Sequence, residues 1–183
     1  PDMAEIVIDS STLTGDVTYD VEYSNVVADY TVHHLFEKQD GSGYEQLSGI
    51  SPVPMSGAVG SHVFVDALNP VPEGYQYDHA DVVVVEADNS TIARVYYNRR
   101  INTLVFDMRG GAPIDAITGK YGSQVAFPAV APDNRTGFTF LGWANDEAAT
   151  TPNIDQSSYT MPAPESTTLY AVWQGNPVSY KIV

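Results

Sequence analysis

Four histidines and 23 acidic side chains are the residues of this chain best suited to chemistry. Ser61 and His62 are neighbours, which on a strand would face opposite ways and so could not act as nucleophile and base. No Gly-x-Ser-x-Gly elbow occurs to expose a serine. His33 and His34 are adjacent too, and one metal ion could not easily take both. Asp78, His79 and Asp81 could approach a cation, but they read equally as a polar turn leading into Val82. Asp40 to Gly43 and Asp88 to Ser90 resemble fragments of calcium loops without the full EF-hand pattern or its closing Glu. Turn chemistry explains both. Hard cations need only oxygen ligands, so a weakly bound surface calcium is compatible with them. No catalytic residue, metal site or other cofactor is assigned, and the chain is not expected to be an enzyme.

The remaining side chains with a capacity for recognition are aromatic. Tyr75, Tyr77, Tyr96 and Tyr97 cluster in one part of the sequence and are the candidate binding residues. A tyrosine offers an apolar face and a polar tip, which suits sugar or protein contact. Phe138, Phe140, Trp143 and Trp173 instead fall at core positions of their strands. Lys38 and Lys120 sit beside turns and are expected to be exposed, which argues against a buried lysine crosslink.

Composition narrows the partners. The chain has 183 residues, enough for one large domain or two small ones, and a formal net charge of −15. Such a surface repels phosphate backbones and anionic lipid, so nucleic acid and membrane are not expected as partners. There is no cysteine, which excludes disulfides, thiolate metal sites and a cysteine nucleophile. No apolar run approaches the length of a membrane span. Neither a leader nor a sorting signal is recognisable, so an exported protein would be represented here by an excised piece.

Apolar alternation places strands near 30–37, 44–47, 82–86, 91–97, 103–107, 116–121, 138–143 and 167–173. The valine run at 82–85 is apolar on both faces, as in a central strand, and it forms an expected hairpin with 91–97 across Asp88, Asn89 and Ser90. A short helix is expected around 61–68, and a link bracketed by Pro128 and Pro132 is irregular or briefly helical. The two ends of the chain match each other. A strand ending at Tyr23, then a new one opening at Tyr30, is echoed 150 positions later by Trp173 and Tyr180. That offset suggests a longer array cut within its period.

Residues 101–174 carry Val105 to Asp107, Gly110 and Gly111, Tyr121 and Gly122, Gly137 to Phe140, Gly142 and Trp143, and Leu169 to Trp173. This pattern resembles the Listeria–Bacteroides repeat, also called the internalin B-repeat, with Met108 and Arg109 standing where the family usually has Asn before its glycines. Residues 29–100 resemble the mucin-binding-protein (MucBP-like) module more loosely, through Tyr30 to His34, Asp40 to Tyr44, Gly57 to Ser61, Pro72 to Tyr75 and Arg94 to Arg99. The resemblance implies an α+β, mostly β chain of two tandem β-grasp (ubiquitin-like) modules at 29–100 and 101–174. Residues 1–28 would then be the tail or edge strand of a preceding repeat, and 175–183 the linker and first strand of the next. It further implies an extracellular repeat of a Gram-positive cell-surface protein, attached to the wall in its full length. That repeat would be a monomer acting as adhesin or stalk beside neighbouring repeats and touching host mucin glycan or protein. The alternative is a carbohydrate-binding module accessory to a secreted glycoside hydrolase.

Overall fold

A computed structural model describes residues 26–131 and 134–181, together with Gly15. The matching segment at 17–23 and the position of Pro132 lie outside these residues. Eleven strands organise the described chain. The first sheet contains β1 (Val27–Glu37), β2 (Tyr44–Glu45), β3 (Val53–Ala58), β5 (Tyr75–Ala80) and β7 (Ile92–Arg99). The second contains β8 (Ile101–Asp107), β9 (Ile117–Lys120), β10 (Phe138–Ala144) and β11 (Ser166–Gly175), in the order β10-β11-β8-β9. A two-stranded ribbon of β4 (His62–Val63) and β6 (Val83–Val84) completes the set.

The two larger sheets are wired alike. In each, the opening strand lies parallel to the closing one, β1 with β7 and β8 with β11. The opening strand pairs antiparallel with the strand that follows it, and the closing strand with one that precedes it. A parallel pair needs a long crossover. Here that crossover is loop and short strand, with no helix among the described residues. The α+β expectation is therefore corrected to all-β, and the expected helix at 61–68 is the short strand β4 followed by irregular chain. Val63 and Val65 do point into the core there, but two such contacts do not make a helical stripe.

The expected hairpin of 82–86 with 91–97 is also corrected. Asn89 does turn the chain with φ 59°. However, both edges of β7 are taken by β1 and β5, so Val83 and Val84 pair with β4 instead. Val82 is consequently exposed rather than central.

Each sheet has its own core. In the first, Val32, Phe36, Val95 and Tyr97 lie inward, with Val63 and Val85 closing over them. In the second, Leu104, Phe106, Trp143, Met161 and Leu169 are packed together. Strict alternation along β7 sends Ala93, Val95, Tyr97 and Arg99 inward and their neighbours outward.

Candidate functional site

The four candidate tyrosines do not converge. Tyr97 is fully buried, stacked on Phe36 with centroids 4.6 Å apart. Its hydroxyl accepts the Leu68 N–H at 2.7 Å and lies 2.9 Å from His34 Nδ1. Burial lowers the His34 pKa from its ordinary value by disfavouring the charged ring. Tyr75 packs against the same core and Tyr77 lies on the same side of the sheet, half exposed. Tyr97 is thus a core residue, closed to any ligand at the surface.

Tyr96 alone points to the opposite face, and there it belongs to a cluster the sequence did not reveal. A bulge in β5 between Tyr77 and His79 brings His79 opposite Tyr96. The two rings stack at 4.4 Å and 17°. Tyr44 from β2 meets Tyr96 edge-on at 5.0 Å and donates its hydroxyl proton to Asn98 Oδ1 at 2.7 Å. His79 Nδ1 is 2.7 Å from Asp78, while Asp81 faces Arg94 at 3.8 Å and the Tyr96 hydroxyl at 3.4 Å. Burial raises the Tyr96 hydroxyl pKa, with the Asp81 carboxylate adding to the effect. The polar atoms of this face are thus mostly satisfied by one another. What it presents outward is ring surface, chiefly the half-exposed His79. It can offer contact but holds no activated nucleophile.

The cation-like groupings resolve into turns and pairs. Asp40 accepts the Ser42 N–H at 2.9 Å and Asp88 the Ser90 N–H at 3.0 Å, so each carboxylate caps its own turn. Among the described residues, no three His, Cys, Asp or Glu side chains gather where they could hold a metal.

The most developed polar constellation lies where the two sheets meet. Arg100 is the only residue between β7 and β8. Its N–H donates to Gly74 O at 2.9 Å and its carbonyl accepts the Tyr121 N–H at 2.8 Å, one bond into each sheet's loops. The Tyr121 ring covers Gly74 so closely that a Cβ there would sit 2.3 Å from it. The same ring meets Tyr75 edge-on at 5.7 Å. Glu37, at the end of β1, accepts the Arg99 N–H at 3.0 Å with one oxygen and the Lys120 ammonium with the other. Buried Arg99 donates to Gln39 O at 2.9 Å, and Gln39 in turn donates to Gly122 O at 2.8 Å. Burial pushes the Glu37 carboxyl up, but Lys120 and the Arg99 N–H outweigh it and hold its pKa below the ordinary value. Lys120, expected to be exposed beside a turn, is half exposed and paired with Glu37. Sequence reasoning missed this group because Glu37, Arg99 and Lys120 are spread over 83 positions, and only the alternation of β7 hinted that Arg99 is inward.

Residues 103–172 match the model of the Listeria-Bacteroides repeat domain. In an alignment of 169 positions that covers 86% of its length, the chain is 27% identical to a protein of Evansella cellulosilytica that bears the name "Putative membrane protein". It spans 24% of that relative, about a quarter of its length. No helix among the described residues is long and apolar enough to cross a membrane.

Proposed function

We propose that this chain is a stretch of the extracellular repeat region of a bacterial cell-surface protein. Its primary work is that of a stiff stalk that displays whatever adhesive region lies in the same protein. Two modules, 29–100 and 101–174, each carry the strand wiring of a β-grasp sheet with loops in place of the helix. The second belongs with the internalin B-type repeats and the first with MucBP-like modules. The family match at 103–172 supports the surface setting.

The observation that carries the stalk reading is the joint. A flexible string needs a linker of several residues, whereas here a single residue separates two strands and both of its backbone polar groups are bonded across. The Glu37–Lys120 pair and the Tyr121 ring packed on Tyr75 add contacts between the two modules at that joint. Adhesive contact with host glycan or protein is a secondary role of the exposed rings around Tyr96 and Tyr77.

The test uses the absence of cysteine. Ser90→Cys and Thr151→Cys, both at exposed positions, give one spin label on each module. Pulsed dipolar spectroscopy is expected to return one narrow distance distribution. Glu37→Gln with Tyr121→Ala should broaden it while both modules stay folded. A broad distribution in the parent chain would sink the stalk reading. A glycan array then asks separately whether the modules bind sugar.

A further inference from the structure

Positive charge is scarce in this chain, with 8 basic residues against 23 acidic ones. Two of those bases line a single hollow of about 270 Å³ beside β11, together with Ala149, Thr150, Val172 and Trp173. Each is held by the fold. Arg109 occupies a left-handed turn at φ 48°, its own N–H donates to Asp107 at 2.8 Å, and its guanidinium donates to Glu147 O. The Arg135 guanidinium carbon lies over the Phe138 ring, 3.7 Å from its centroid, and 5.9 Å from that of Trp173. Stacking satisfies the face of a guanidinium and leaves its edge N–H groups to donate.

Among the described residues, neither arginine has a carboxylate within salt-bridge reach, and none lines the hollow. Two like charges facing one pocket repel, and a bound anion would relieve that. Asp107 and Glu147 lie beside Arg109, but the first accepts its backbone N–H and the second its guanidinium through a backbone carbonyl, so neither carboxylate forms an ion pair with it. The volume lies near the lower end of small-ligand sites, about 300–1,000 Å³, which suits one ring rather than a chain of them. Thr150 adds a hydroxyl, while Ala149 and Trp173 add apolar contact.

We infer that this hollow binds a carboxylate-bearing sugar residue. Arg109 and Arg135 clamp the carboxylate, Thr150 meets a ring hydroxyl, and the apolar side chains receive a face of the ring. This site is separate from the joint, so the stalk reading stands or falls independently of it.

Titration of the isotope-labelled chain with glucuronate, followed by amide and indole resonances, tests the proposal. Saturable shifts are expected at Arg109, Thr150 and the Trp173 indole, weakening with added salt. Neutral glucose should produce none. Arg109→Asn, which tolerates the left-handed turn, should weaken glucuronate about tenfold or more by removing one charged donor pair. Thr150→Val should weaken it less, and Arg135→Gln should abolish it. If Arg135→Gln disturbs the fold, the other two variants still decide. Absence of shifts at these residues would overturn the proposal. Equal binding of inorganic sulfate and glucuronate, unaffected by Thr150→Val, would overturn the sugar assignment.

Discussion

The two sheets share their wiring but differ in what fills them. The first core contains polar groups at its centre: Tyr97 with its hydroxyl between Leu68 and His34, and buried Arg99 reaching toward the joint. The second core is largely aromatic, with Phe106 and Phe140 each packed against Trp143. Its polar ties lie at the margins: buried Asn102 donates to Pro162 O at 2.7 Å and Ala163 O at 3.1 Å, and the Trp173 indole donates to Met108 O at 2.8 Å, while the Trp143 indole N–H has no partner among the described residues. The contrast teaches how two units of similar topology can divide their labour. A core filled mainly by aromatic rings depends chiefly on shape and is sensitive to any loss of volume. A core threaded by hydrogen bonds couples its stability to protonation and to its neighbour.

The sharpest way to break this comparison is to empty the aromatic core. Trp143→Ala removes a fully buried ring and is expected to cost the second sheet about 3–5 kcal/mol. Amide exchange should report the loss in 101–174 while the protection of β1 and β7 persists. Equal loss in both would mean that the sheets fold as one unit.

Gly111→Ala is expected to come next, at about 1–3 kcal/mol. An added Cβ would lie 2.3 Å from Asn134 Oδ1 and 2.8 Å from the Trp173 ring. Urea denaturation should show this loss, and a fully stable variant would mean that the aromatic packing yields more readily than argued.

For the first sheet, Tyr97→Phe keeps the ring and deletes the hydroxyl. It leaves the Leu68 N–H without its acceptor, a cost of about 1–3 kcal/mol, again measurable in urea. His34 adds a pH dependence. Its folded pKa is lowered, so the unfolded chain binds the proton more readily. Stability is then full above the ordinary histidine range and falls as pH drops through it toward the folded value. His34→Gln should flatten that slope, whereas the Trp143 region should contribute none.

The smallest expected change is at the joint. Glu37→Gln weakens a pair whose lysine is half exposed, and its effect on global stability should be only about 0–1 kcal/mol. Because the folded Glu37 pKa is lowered, that contribution is present above the ordinary carboxylate range and is lost as pH falls through the folded value. A large global loss would mean that the two sheets depend on each other for folding.

The second sheet was the more legible in sequence. Its signature residues have duties that the backbone imposes locally. Gly110 takes φ 91°, and Gly142, at φ 147°, lies where a Cβ would strike Pro152 at 2.8 Å. Such duties leave a fixed residue type at a fixed spacing. The Tyr96 cluster was only half legible, since alternation marks some tyrosines as outward but cannot say which. The bulge that turns His79 onto Tyr96 has no mark in the pattern.

By itself, then, the order of residues determined strand-rich architecture, most strand positions, the glycine-governed turns and the inward placement of Phe140, Trp143 and Trp173, whereas Phe138, expected with them, lies under Arg135 outside the core cluster. These follow from short-range sterics and from period-two burial, which a linear pattern records. Tertiary structure alone decided that the crossovers dispense with helix, that Val83 and Val84 join β4, and that Glu37, Arg99 and Lys120 meet at the joint. It alone brought Arg109 and Arg135 to one hollow. Each of these depends on which distant segments become neighbours, and in a sheet that choice is settled by competition among edges across the whole fold.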